Sequence, residues 1–196
     1  MLGKDFENPF GEKTPKGTVK MMSTLLNSAV FPGIQGGPLE HIIAAKAVAF
    51  KQALGDAFKA YQQATVRNAR KMADELQKAG LQLVTGGTDN HMILVDLRNL
   101  DLTGKAAEAA LGQAGITANK NSIPFDEQGP AVTSGIRLGT PVVTTRGMGE
   151  AEMVAIAAFI AKVLRHPAET AVVAEVRREV QDLCRRFPLY PGDARS

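Results

Sequence analysis

The sequence predicts an α/β fold, a small sandwich with helices on one face of a mixed or antiparallel sheet. Three observations predict it. Two long stretches at helical spacing precede Gly80, the hydrophobic period then shortens toward two, and strand-like and helix-like segments alternate from there to Phe187. The two leading helices stand outside that alternation and read as a connection to something else.

Residues 1–18 carry Gly3, Asn8-Pro9, Gly11, Pro15 and Gly17, which is turn chemistry without a core-forming period. Thr18 to Ala29 reads as a short amphipathic helix, with Val19, Met22, Leu25 and Leu26 at helical spacing. Phe31-Pro32-Gly33-Ile34-Gln35-Gly36-Gly37-Pro38 is a tight, defined loop. Pro38 suits a first helical position, where the missing N–H has no partner to lose. The helix it opens carries Leu39, Ile42, Ile43, Ala47 and Phe50 and breaks or bends at Gly55-Asp56. The next places Phe58, Tyr61, Ala69, Met72 and Leu76 on one face and stops at Gly80.

Leu81-Gln82-Leu83-Val84 and Met92 to Leu97 read as strands around the turn cluster Thr85 to Asn90. Thr103 is the expected N-cap of an alanine-rich helix over 106–114 that Gly115 ends. Ile116 to Asn119 is a short strand, Asn121 to Pro130 a polar loop, and Gly135 to Gly139 another strand. Gly149 to Leu164 and Ala168 to Phe187 are helices split by His166-Pro167.

Composition sets the limits. The 196 residues allow one domain or one and a part, with 44% hydrophobic and 22% charged residues, so a packed core needs neither disulfides nor metal. The single Cys184 excludes a disulfide scaffold and points to a reducing compartment. A net charge of +3 is too small to argue for nucleic acid, and aromatics at 5% give no stacking platform. The arginines of the last helix, Arg177-Arg178 and Arg185-Arg186, read as a solvated face rather than an RNA site. No apolar run approaches the roughly 20 residues a membrane helix needs, and the start lacks a signal-peptide core. The expectation is a cytoplasmic chain without membrane or nucleic-acid partners.

Three places are suited to chemistry. Gly36-Gly37 before a helix can present bare N–H groups to phosphate, aided by the helix dipole; the alternative is a turn where only glycine fits. Arg137, in a short apolar strand between Gly135 and Gly139, can grip a carboxylate with its planar fork; the alternatives are a salt bridge to an internal Asp or Glu, or a surface arginine on an edge strand. Asn119-Lys120-Asn121-Ser122 offers amides, an ammonium and a hydroxyl, either to a ligand or to solvent. The histidines lack metal spacing, and Cys184 falls on an apolar helix face near Val180 and Leu183.

Taken in order, Val30 to Leu39, Gly86-Gly87-Thr88-Asp89-Asn90-His91, Leu94 to Leu97, Asn119 to Pro124, Ser134 to Thr140 and Thr144-Thr145-Arg146-Gly147 resemble the motifs of serine hydroxymethyltransferase, also called glycine hydroxymethyltransferase. The resemblance runs from about Gly3 to about Tyr190. It implies the C-terminal part of a fold-type I, aspartate aminotransferase-like pyridoxal-phosphate enzyme. Such enzymes interconvert serine and glycine with tetrahydrofolate as one-carbon acceptor, and they work as homodimers. On this basis residues 1–54 are the end of the large cofactor domain, and residues 55–196 are a connecting helix and the small C-terminal domain.

By the same resemblance Arg137 holds the amino-acid carboxylate, and Gly36 and Gly37 lie at the cofactor phosphate of the neighbouring subunit. Phe31, Asn121 and Ser122 belong to the folate pocket. The family's Schiff-base lysine, which follows a threonine-rich run and a histidine, has no counterpart in this sequence. Neither do the aspartate and histidine that hold the cofactor ring. The expectation is therefore a chain that does not catalyse alone, with a missing N-terminal half or an oligomer as partner. A non-catalytic oligomerisation domain derived from that fold is the alternative.

Overall fold

The computed structural model describes residues 4–190. It divides into two compact units, Met1–Ala53 and Leu54–Ser196.

The first unit contains α1 (Met22–Ser28), a π-type turn over Ala29–Ile34 and α2 (Glu40–Ala53). Residues expected to be featureless form an arm held by isolated antiparallel bridges, Glu7 to Met21 and Lys13 to Val19. Its organiser is the buried Asn8 side chain. The Asn8 amide donates to the Glu12 and Lys20 carbonyls at 2.9 and 2.7 Å, and its oxygen accepts from the Phe10 and Glu12 N–H groups at 3.2 and 3.0 Å. This arm explains why the first helix begins at Met22 and not at Thr18: residues 19–21 are engaged in pairing. Asp5 then accepts from the Ser23 N–H at 3.1 Å and the Ser23 hydroxyl at 2.5 Å, contacts that hold its carboxyl below the ordinary range. On α2 no residue is buried, although Ile42, Ile43, Val48 and Phe50 are apolar and exposed.

The second unit is α/β. Its helices are α3 (Asp56–Lys78), α4 (Gly104–Gln113), α5 (Pro141–Thr145), α6 (Glu150–Arg165) and α7 (Thr170–Arg186). Its strands are β1 (Gln82–Leu83), β2 (Met92–Asp96), β3 (Asn119–Asn121) and β4 (Gly135–Gly139). They form one sheet in the order β1-β2-β4-β3, antiparallel throughout. Alternation along the strands sends Ile93, Val95, Ile136 and Leu138 into a core with Leu76, Leu111, Met153, Ile160 and Val176. Each such side chain contributes about 1.5–3 kcal/mol on burial.

The helix ends follow local chemistry. Gly80 and Gly115 both take φ of +80°, the left-handed stop that glycine reaches without steric cost. The Thr103 hydroxyl oxygen accepts from the Ala106 N–H at 3.2 Å and caps α4. The third strand lies over Asn119–Asn121 and not Ile116 to Asn119, because the Ile116 N–H is spent on the Leu111 carbonyl at 2.8 Å in closing α4. The short α5 carries no periodic signal of its own and is held by α3. Thr140 Oγ1 donates to the Thr65 carbonyl at 2.8 Å, and Asn68 Nδ2 donates to Thr144 Oγ1 and the Met148 carbonyl at 2.9 and 3.0 Å. These bonds anchor the end of β4, the strand that carries Arg137.

Candidate functional site

In β4 the neighbours Ile136 and Leu138 are buried while Arg137 between them is exposed. The helices cover one face of the sheet, and Arg137 stands on the other. Its register partners there are Leu94 of β2 and Asn119 of β3. The guanidinium borders an open cleft of about 630 Å³, also lined by Asn121, Leu94, Met92 and the turn from Thr85 to Asn90. Among the described residues Arg137 has no ion-pair partner, whereas Arg98 is paired with Asp96 at 2.7 Å. A charge on an open sheet face with no internal partner is available to a ligand.

The turn opposite is pinned by its own side chains. Thr88 Oγ1 donates to the Met92 carbonyl at 2.6 Å, and Asn90 Oδ1 accepts from the Met92 N–H at 2.7 Å. Gln77 on α3 donates to the Gly86 carbonyl at 3.1 Å. The cleft is therefore built on hydrogen-bonded walls rather than on a free loop.

The other wall depends on Asp126, a residue without an evident role in the sequence. Its carboxylate accepts from Ser134 Oγ at 2.6 Å and from the backbone N–H groups of Ser134, Gln128 and Ile123 at 2.9, 3.0 and 3.2 Å. The Ser134 hydroxyl, with these N–H groups, holds the Asp126 carboxyl far below the ordinary range. This carboxylate draws the loop after Asn121 onto the start of β4. Gly135 completes the fit: a Cβ there would meet Ile123 Cγ2 at 2.6 Å and the Val95 and Asn121 carbonyls at 2.8 and 2.9 Å. The Pro124-Phe125-Asp126 turn was the available sequence signal, since aspartate commonly accepts from backbone N–H groups nearby.

Of the residues expected to bind ligands, Arg137 and Asn121 line the same cleft. Ser122 is exposed next to it, and its carbonyl accepts from Asn121 Nδ2 at 2.7 Å. Phe31, Gly36 and Gly37 belong to the first unit and are exposed there. Neither Gly36 nor Gly37 has positive φ, and a Cβ at either would meet nothing within 4 Å. The local turn does not require glycine at these positions. Among the described residues no cluster of three or more His, Cys, Asp or Glu side chains could hold a metal ion, and no helix is long and apolar enough to cross a membrane.

These placements can be set against known families. The family model described as serine hydroxymethyltransferase matches residues 8–160, a span that includes the glycine loop of the first unit and the whole Arg137 cleft. The match covers well over half of the 196 residues. The chain belongs to the serine hydroxymethyltransferase family.

Proposed function

We propose that this chain is the substrate- and folate-facing C-terminal part of a fold-type I pyridoxal-phosphate enzyme that interconverts serine and glycine with tetrahydrofolate as one-carbon acceptor. The observation that carries the reading is Arg137: a guanidinium on the uncovered sheet face, without an internal ion pair, at the edge of a walled cleft. A planar fork there accepts the α-carboxylate of serine or glycine through two parallel hydrogen bonds and fixes the orientation of the α-carbon. Asn121, paired with Gly135 of β4, and Ser122 beside it supply a polar edge for tetrahydrofolate, and Phe31 of the first unit is assigned to a folate pocket by the family resemblance.

The residues present fit one end of the cofactor. Gly36 and Gly37 lie just before α2, open and free of conformational demand, which suits a phosphate held by backbone N–H groups of a neighbouring subunit. Pyridoxal phosphate, when bound, supplies the electron sink for bond cleavage at the amino acid's α-carbon. This chain's part is to hold the carboxylate, present the folate and complete the phosphate cradle. The domain reading follows: residues 1–54 end the large domain, and residues 55–196 form the connecting helix and small domain.

The exposed apolar residues of α2 also fit this reading, since a helix apolar on several sides is ordinarily covered by further protein. The same surface supports the second reading, a non-catalytic oligomerisation module. One experiment separates them. The chain is mixed with the N-terminal half of a serine hydroxymethyltransferase, pyridoxal phosphate, serine and tetrahydrofolate, and glycine formation is measured. Activity in the mixture, with none from either half alone and none from Arg137→Ala, supports the enzyme reading. A stable complex without glycine formation leaves the oligomerisation module, and activity of this chain alone overturns the division of labour.

A further inference from the structure

A second cavity lies in the same unit, on the helix-covered side of the sheet. It opens to solvent and holds about 470 Å³ among Met72 of α3, Leu138 of β4, Ile156 and Ile160 of α6, Leu183 of α7 and Met148. This lies within the roughly 300–1,000 Å³ range of small-ligand sites. Five of its lining residues, Met72, Leu138, Met148, Ile160 and Leu183, are each at most 5% exposed, and the others are partly or fully exposed.

One charged group breaks the apolar lining. Arg146, just after α5, borders the cavity and donates from Nη2 to the Cys184 carbonyl near the end of α7 at 2.9 Å. Its Nε is buried and has no hydrogen-bond partner. Among the described residues no carboxylate pairs with it. A half-buried cation with one N–H unmet and only a carbonyl for company lacks both an acceptor and a counter-charge. The chain places this deficit at the edge of an apolar chamber.

We propose that this cavity binds a small monocarboxylate with an apolar tail, the carboxylate against the Arg146 guanidinium and the tail among Met72, Ile156 and Ile160. The carboxylate supplies the missing charge and accepts from the guanidinium's Nη groups, and guanidinium–carboxylate pairing is among the stronger hydrogen-bonded contacts. The apolar wall selects for the tail. The site is separate from the Arg137 cleft, which opens from the other face of the sheet, so it stands whether or not that cleft binds substrate.

The test uses the full chain with methyl-labelled methionine, titrated with octanoate and followed by NMR. Octanol (the same tail without charge) and acetate (the charge without the tail) are the controls. The expected result is a saturable shift of the Met72 and Met148 methyl signals by octanoate, with octanol weaker by about tenfold or more and acetate silent. Arg146→Gln should abolish the preference for octanoate over octanol. Ile156→Phe fills the chamber, leaves the guanidinium in place, and should weaken octanoate by about tenfold. Octanoate that leaves both methyl signals unmoved overturns the proposal. So does equal binding of octanol, or octanoate binding unchanged in either variant.

Discussion

A methyl group at Gly135 is the sharpest perturbation of the site's architecture. Its Cβ would stand 2.6 Å from Ile123 Cγ2, 2.8 Å from the Val95 carbonyl and 2.9 Å from the Asn121 carbonyl. The Ile123 side chain can turn aside, but Val95 lies in β2 and Asn121 in β3, both strands of the same sheet. Relief therefore requires a strand to move. Overpacking of this kind costs about 1–3 kcal/mol, and two backbone contacts place Gly135→Ala toward the upper end, about 2–3 kcal/mol. At roughly 2–4 °C per kcal/mol, the melting temperature falls by ~4–12 °C. Gly112→Ala is the matched control. It lies in α4 with nothing within 4 Å of its added carbon, and it gains about 0.5–1 kcal/mol from helix propensity. With no tryptophan in the sequence, urea unfolding is followed by far-ultraviolet circular dichroism. The two substitutions should move the midpoint in opposite directions. A Gly135→Ala midpoint within about 0.5 kcal/mol of the parent would refute the close-approach argument, and with it the account of how the Asn121 loop is seated.

Other consequences follow from the same geometry. The Asp126 carboxyl titrates below its ordinary value of 3.8 in the folded chain, so the unfolded chain binds more protons as the medium acidifies. Its contribution is therefore complete above about pH 4 and lost as pH falls toward the folded value. Asp126→Asn should flatten that part of the stability–pH curve, which denaturant midpoints between about pH 2.5 and pH 7 will show. An unchanged acid slope contradicts the hydrogen-bond count. Thr103→Ala removes the α4 cap and should cost about 1 kcal/mol by urea unfolding, with Thr103→Ser retaining most of it.

Much of the second unit was legible because its signals are local or periodic. The face of α3 through Ala69, Met72 and Leu76, the Thr103 cap, the Gly80 and Gly115 stops and the β4 strand each follow from a few adjacent residues. What escaped depends on contacts distant in sequence. The Asn8 arm joins residues twelve apart through one amide, and α5 is fixed by Thr65 and Asn68 of α3, up to 80 positions away. At the site, Arg137 was legible as a guanidinium in an apolar strand. That it faces the uncovered side without an internal carboxylate is a matter of register and partners, which only the sheet reveals. Asp126 was hidden because aspartate in a polar loop looks like solvent-facing chemistry until the donors that converge on it are counted.

The central claim is that the Arg137 fork receives an amino-acid carboxylate. Its most direct test is the arginine side-chain NMR spectrum of the chain reconstituted with a complementary N-terminal half and titrated with glycine, with methylamine as the ligand lacking the carboxylate. The account predicts a saturable shift of the Arg137 signals by glycine only, with the ion-paired Arg98 unmoved. It also predicts a loss of glycine affinity of about 30-fold or more in Arg137→Ala, as expected for about 2 kcal/mol or more of charge-assisted contact. Arg137 signals indifferent to glycine, or equal responses to glycine and methylamine, would contradict it.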